Sequence, residues 1–325
     1  LAQTKVVSSN KGDYVYLVKE PTATPSAAVL PKLLPQLIGR LRAPKTMRWD
    51  AGGVRFARPI RWWLALYGTS AVRCSLGPLR SAPATRVDGP LRPRSVRVRS
   101  LDGYLRTLKQ SGILLDPAQR RAWIEQAVGR LAAQSRGAAA PEMVSHGLLD
   151  EVTHLVERPA PLVGRFDRKY LALPREVLLA SMAKYQRLFA VESPPTTHGA
   201  GQAGGTLLPQ FIAILEGAPR RAAEVRKVME RILDARLADS LLFWTEDHQR
   251  LPLQQMAEGL SGVTFHERLG SMAEKTVRLR ALAEPLAEAW RLTDEERTHL
   301  RRACQLAKAD LVSTMVKEFP TLQGV

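Results

Sequence analysis

Cysteine is nearly absent. Cys74 and Cys304 are the only two in 325 residues, and they lie far apart without companions. Neither a disulfide framework nor a cysteine zinc site can be built from them, which suits a reducing cytoplasm. Long apolar runs are missing too. The strongest, Trp62–Tyr67 and Phe211–Leu215, fall well short of the ~20 residues that a helical membrane span requires. No charged, apolar, small-residue leader opens the chain. It starts at Leu1 and stops at Val325, just after Gly324, and reads as an internal piece of a longer protein. No Gly-x-x-x-x-Gly-Lys-Ser/Thr phosphate loop and no Gly-x-Ser-x-Gly elbow occurs. The six histidines (His146, His154, His198, His248, His266, His299) include no His-x-His and no His-Glu-x-x-His, so no metal or catalytic histidine is indicated.

Acid is scarce in one long stretch. Between Arg40 and Arg106 stand fifteen basic residues, opposed only by Asp50, Asp88 and Asp102. That segment carries +12 of the formal net charge of +17. So lopsided a field attracts polyanions, of which nucleic acid is the usual one; an arginine-rich composition spread over a solvated face is the alternative. Trp49 and Phe56, interleaved with Arg48, Arg55, Arg58 and Arg61, suit an aromatic-plus-basic RNA surface or ordinary core packing.

Taken in order, Tyr14–Lys19 alternates as a strand, and Pro21–Pro25 turns the chain. Ala27–Leu41 has the spacing of a helix with Leu30, Leu33, Leu34, Leu37 and Leu41 facing one way. The Gly52–Gly53 pair predicts a tight turn between two strands. Ile60–Tyr67 enters the core as a short helix or strand. A turn-rich run from Ser81, through Gly89 and Pro90, leads to an edge strand at Val96–Arg99. Helices are expected over Leu101–Ser111 and Pro117–Ser135, the second with Asp116 as N-cap and Pro117 at its first position. Gly137–Pro141 reads as a soft linker, His146–Glu157 as a helix and Pro161–Phe166 as a strand. Leu173–Arg187 reads as another helix. A low-complexity loop, Ser193–Gly205, precedes a strand over Leu207–Glu216. Beyond residue 220 the pattern is all helical: a long helix from Ala222, then Leu253–Leu260, Glu267–Trp290 and Asp294–Glu318, with a Thr293/Glu296 capping box. A basic α+β domain over 1–220 followed by a helical domain over 221–325 is therefore expected.

The densest pattern lies in the long helix, from Glu230 to Asp247. Val225, Val228, Met229, Ile232 and Phe243 form one apolar row, and Leu233, Leu237, Leu241 and Trp244 a second. Two such rows predict a helix buried over most of its girth. Arg231, Asp234, Arg236 and Asp239 are threaded through it, and buried charges need partners. On the residues alone this is a core helix with internal ion pairs.

The literal string, Glu-Arg-x-Leu-x-Ala-Arg-Leu-x-Asp-x-x-Phe-Trp-x-Glu-Asp, resembles a signature of the beta subunit of the bacterial two-subunit glycyl-tRNA synthetase. Glu230, Arg231, Arg236, Asp239 and Trp244 are its charged and aromatic members. The resemblance extends to Met47-Arg-Trp-Asp, Val54-Arg-Phe-Ala-Arg-Pro-Ile-Arg-Trp, Leu149-Asp-Glu-Val-Thr-His-Leu-Val-Glu-Arg-Pro and Ala172-Leu-Pro-Arg-Glu-Val-Leu-Leu-Ala-Ser-Met. It continues in Phe265-His-Glu-Arg-Leu-Gly-Ser-Met-Ala-Glu-Lys-Thr and Ala307-Lys-Ala-Asp-Leu-Val-Ser-Thr-Met-Val-Lys-Glu-Phe-Pro-Thr-Leu-Gln-Gly. Three places depart from it. Tyr185 stands where the family has histidine, Leu188 where it has tyrosine, and Val228-Met229 where it has Gly-Asn.

The resemblance implies a subunit that serves tRNA(Gly) and assembly in the cytoplasm, in an enzyme of two alpha and two beta chains. Adenylation, with its ATP and magnesium, is implied for the alpha subunit, so no cofactor is expected on this chain. Arg48, Arg55, Arg58, Arg61, Lys184 and Arg187 are the candidate tRNA contacts. The fold implied is a mixed domain similar to the editing-type module of phenylalanyl-tRNA synthetase, followed by an HD-like helical domain. Editing itself is not implied, because a sieve against larger residues gains glycine little from a second site. The family's extreme N-terminus and anticodon-binding region are missing.

The tail also resembles the histidine–aspartate phosphohydrolase core. There a His-Asp pair and an earlier histidine hold a divalent metal. Here Ala309 precedes Asp310, Lys308 lies beside them, and Lys275 falls near the place of the earlier histidine. One carboxylate does not make a catalytic metal site. A metal-dependent phosphohydrolase is thus one alternative, and a plain RNA-binding module another. The surface expected to meet the alpha subunit is Glu267–Trp290, with Leu269, Met272, Thr276, Leu279 and Leu286.

Overall fold

The computed structural model describes residues 3–18, 24–88, 93–141, 147–194, 205–250 and 252–324. The Gly89–Pro90 turn, most of the Pro21–Pro25 turn, Arg92, His146, His198 and the bulk of the Ser193–Gly205 loop lie outside them. The chain divides into two compact units, Leu1–Gly112 and Ile113–Val325. This displaces the expected boundary at residue 220. That boundary falls within one continuous core, where Phe211 and Ile212 of a central strand pack with Leu233 and Leu237 of the long helix.

The first unit is built from short hairpins around one helix. β1 (Gln3–Ser9) and β2 (Gly12–Val18) make a two-stranded ribbon. Helix α1 (Ser26–Arg40) tolerates Pro31 and Pro35. Its Leu30 and Leu34 cover a small core of Ala65, Val72 and Cys74. Leu33, Leu37 and Leu41 are exposed instead of sharing that face. The glycine turn behaves as expected. β3 (Met47–Arg48) pairs with β4 (Arg55–Phe56), Gly53 has φ +73°, and Asp50 accepts the Gly52 amide at 2.8 Å. Gly52 is needed there, since a Cβ would meet the Pro78 ring at 2.9 Å. Ile60–Tyr67 is extended and not helical. Leu66–Tyr67 (β5) pairs with Ser70–Ala71 (β6), and Trp63 makes an isolated parallel bridge to Ser81. β7 (Ser75–Leu76) pairs with β8 (Leu79–Arg80), and β9 (Ala84–Val87) with β10 (Arg94–Arg97). Helix α2 (Leu101–Gln110) follows, with Ser100 as its N-cap.

In the second unit, α3 (Pro117–Gln134) starts on the expected Asp116 cap. The supposed linker then forms β11 (Ala138–Ala139), the edge of a four-stranded antiparallel sheet of order β11-β13-β14-β12. Small residues let this strand press against its neighbour: a Cβ on Gly137 would lie 2.5 Å from the Glu192 carbonyl, and Ala140 is buried. Helix α4 (Leu148–Leu155) leads to β12 (Pro159–Arg165). The expected Leu173–Arg187 helix is α5 (Arg175–Ala180) continued by a wider π-type turn over Ser181–Tyr185. β13 (Leu188–Glu192) and β14 (Leu207–Glu216) fill the sheet centre.

Helix α6 (Ala222–Arg250) has 29 residues, about 44 Å at 1.5 Å per residue. It is not buried over most of its girth. Leu233, Leu237 and Ser240 are sealed in, whereas Val228 and Ile232 are about half exposed. Arg231, Asp234 and Asp239 are exposed and not internally paired as anticipated, and Asp234 hydrogen-bonds the Tyr170 side chain. α7 (Leu253–Gly259) precedes a hairpin of β15 (Thr264–His266) and β16 (Gly270–Ser271). Hence the helix expected from Glu267 starts only at Met272 as α8 (Met272–Ala289), where Gly270 has φ +77° and Ser271 with Glu274 forms a capping box. α9 (Asp294–Leu306) carries the expected Thr293/Glu296 box. It does not run on to Glu318, because Lys308 is left-handed at φ +73°, a conformation no helix interior accepts. A short 3₁₀ turn and α10 (Thr314–Glu318) complete the region.

Candidate nucleic-acid interface

Residues 1–112 contain twenty lysines and arginines against five acids, so almost all of the net charge belongs to the first unit. Every described cation from Arg40 to Arg106 is exposed. Hairpin pairing explains part of this. Register puts Arg48 directly opposite Arg55, and like charges so placed repel unless an anion lies over them. On the β9/β10 ribbon, Arg86 and Arg97 share a face by register, while Arg94 turns to Asp88 at 2.8 Å. Arg58 and Arg61 follow β4 and are exposed. Trp49 and Phe56 are half-buried and serve mainly as packing under the arginines.

Lys184 and Arg187 belong to the second unit. Arg187 is engaged with Glu151 at 2.9 Å and sits at φ +51°. Lys184 lies 5.7 Å from the Tyr185 ring. Tyr185 itself is a joint. Arg236 stacks on it at 4.5 Å, its hydroxyl donates to the Glu318 carbonyl at 2.7 Å, and Phe319 meets it edge-on. A histidine ring is too short to reach all three at once, so the departure at this position carries a structural role here.

The charged members of α6 have separate duties. Glu230 accepts the Arg165 amide at 3.0 Å, anchoring the helix to the end of β12. Arg231 lines a shallow surface hollow with Asp167 and Asp234, and Asp239 is exposed. Trp244 stacks near His248 at 4.8 Å. Asp247, not singled out from the sequence, caps α10 by accepting the Thr314 and Met315 amides at 2.9 and 2.8 Å. Its signal was the acid ending the signature string.

Each HD-like position has its own local role. Lys275 covers the Phe265 ring at 3.8 Å, Lys308 is the left-handed helix stop, and Asp310 accepts the Gly324 amide at 2.8 Å. Asp310 also borders a hollow of about 500 Å³ with Trp244, Asp247, His248 and Glu176. Among the described residues no three His, Cys, Asp or Glu side chains are grouped to hold a metal. One string, Gly199-Ala-Gly-Gln-Ala-Gly204, has Gly-x-Gly-x-x-Gly spacing. It falls between β13 and β14 in sequence and lies outside the described residues.

A second feature of the first unit went unread in the sequence. Trp62, Trp63 and Tyr104 line a hollow of about 820 Å³, and the Arg86 guanidinium lies 5.7 Å from the Trp62 ring. The adjacent Trp62-Trp63 pair was the available signal.

An exposed arginine surface, interleaved with aromatics on a hairpin-rich scaffold, is the kind of surface that suits polyanions. The family is more particular. The glycyl-tRNA synthetase beta subunit family model matches residues 1–325, and the chain belongs to that family. It is similar to the glycine–tRNA ligase beta subunit of Moorella thermoacetica, 38% identical over 97% of this chain and 44% of the relative. The corresponding subunits of Syntrophomonas wolfei (39%, 96% of this chain, 43% of the relative) and Citrifermentans bemidjiense (38%, 100% and 45%) are also similar. The chain thus spans under half the length of these relatives.

Proposed function

We propose that this chain serves, within a longer protein, as the tRNA-binding and assembly part of the beta subunit of glycine–tRNA ligase. Glycine is activated with ATP and magnesium on the alpha subunit, in a cytoplasmic enzyme of two alpha and two beta chains. Family membership supports the enzyme. The observation that carries the local role is the concentration of exposed arginine in the first unit. The likeness to an editing-type module and to an HD-like fold without its metal belongs to the same reading. The phosphohydrolase alternative is not favoured by the relatives.

On helix α8, Met272 and Thr276 are buried and Leu279 is half-buried, so they pack inward and are unavailable to a partner. Leu282, Leu286 and Trp290 instead form an exposed row at four-residue spacing, and this is the face assigned to the alpha subunit.

The test is tRNA binding as a function of salt. With roughly three to five phosphate contacts, the log–log slope is about −2 to −4. Gel-shift affinity that ignores salt between low and physiological strength contradicts an arginine–phosphate interface.

A further inference from the structure

We infer that the hollow formed by Trp62, Trp63 and Tyr104 is a pocket for one unpaired RNA base that carries an exocyclic amino group. The inference rests on the proposed RNA-binding role of the first unit and names what that unit grips besides phosphate. About 820 Å³ of space lies in the range of small-ligand pockets, ~300–1,000 Å³, and holds a nucleotide with room to enter.

The occupant follows from three observations. Trp62 is 36% exposed, which offers indole surface for stacking, and Arg86 already lies against its ring. That combination of aromatic face and guanidinium suits a base attached to a phosphate backbone. An apolar peptide would leave the surrounding arginines without complement.

Thr85 supplies the second observation. The residue is 4% exposed and lines the hollow, and a threonine hydroxyl in a pocket wall offers a polar ligand edge both a donor and an acceptor.

Asp102 decides which base. It lies in the first turn of α2 and lines the hollow. A carboxylate accepts hydrogen bonds and repels phosphate, so it reads the amino group of adenine, cytosine or guanine and keeps the backbone outside with Arg86 and Arg97. Uracil has no such group.

The experiment uses the whole chain and three labelled probes: short oligo(C), oligo(U) and a blunt RNA duplex of equal charge. Fluorescence anisotropy reads each affinity. Trp62→Ala is expected to weaken oligo(C) by about five- to a hundredfold, the range for one lost stacking partner, with duplex binding unchanged and Trp62→Tyr restoring most of the loss. Asp102→Asn is expected to erase the preference of oligo(C) over oligo(U). Oligo(C) affinity that Trp62→Ala leaves alone, with the duplex still bound in a salt-dependent way, overturns the pocket and spares the RNA-binding role. Equal loss for duplex and oligo(C) makes Trp62 a packing residue and also overturns it. Failure of every probe to bind removes the role itself, and the pocket with it.

Discussion

Glu192 ends β13 with its side chain 6% exposed, and Arg175 reaches it at 2.6 Å while also donating to the Gly205 carbonyl at 2.9 Å. A buried carboxylate is tolerated only while such a partner is present. Arg175→Met should therefore cost about 3–5 kcal/mol, read from urea unfolding. Adding Glu192→Gln in the same chain should recover part of the loss, because the orphaned charge is gone. Additive losses would show that the two side chains act separately. The sequence presented Arg175 only as a member of a family string. Its partner lies 17 residues away across a turn, and no local pattern links the two. Arg120 is a parallel case: 8% exposed, it donates to the carbonyls of Thr153 and Leu114.

At the scale of elements, α8 and α9 are set by three carboxylates. Glu274 is held below the usual carboxylate range by the Ser271 backbone amide and hydroxyl. Glu296 is held down in the same way by Thr293. Glu284 is lowered chiefly by its hydrogen bonds from Arg301, at 2.6 and 2.9 Å across the two helices. Each folded-state pKa is depressed, so the stability it lends is present above the unfolded value, about 4.3 for glutamate, and is lost as pH falls through the folded value. Thermal unfolding between pH 7 and pH 3 should show this pair of helices weakening only at the acid end. Glu284→Gln should flatten that acid limb by lowering the neutral plateau slightly while leaving the acid end unchanged. A limb of unchanged steepness would remove Glu284 from the account.

The outward row of α8 gives a second element-scale expectation. Trp290→Ala should leave the melting curve nearly unchanged, since the ring is 69% exposed, while an interface anchor of this kind is worth about 2 kcal/mol. Co-purification with the alpha subunit and titration by calorimetry read the two effects apart. Equal affinity in wild type and variant would place the partner surface elsewhere.

Across the whole molecule, charge is divided between the units rather than shared. The first has fifteen more bases than acids and the second nearly balances, so the proposed polyanion binding belongs to the first. Nothing among the described elements offers a glycine-rich loop feeding a helix N-terminus, the usual phosphate cradle. Glycine-dependent ATP–pyrophosphate exchange is accordingly expected only when the alpha subunit is added to the longer protein. Exchange by the beta chain alone would overturn the division of labour.

The sequence by itself determined whatever depends on near neighbours. Capping at Asp116 and Thr293, the glycine turn at 52–53, the strand Leu207–Glu216 and the start of the long helix at Ala222 all follow from a few adjacent residues whose preferences agree. The basic field was legible for the same reason, since charge is counted and not folded. Tertiary structure decided the rest. It made a strand of Ala138–Ala139, because small residues fit against β13. It broke the last helix at Lys308, and on α6 it sealed Leu233 and Leu237 of the second apolar row while leaving Val228 and Ile232 of the first about half exposed. It also gathered Trp62, Thr85, Asp102 and Tyr104 around one hollow. Those residues come from separate turns and strands, and only the packing of hairpins against α2 brings them together.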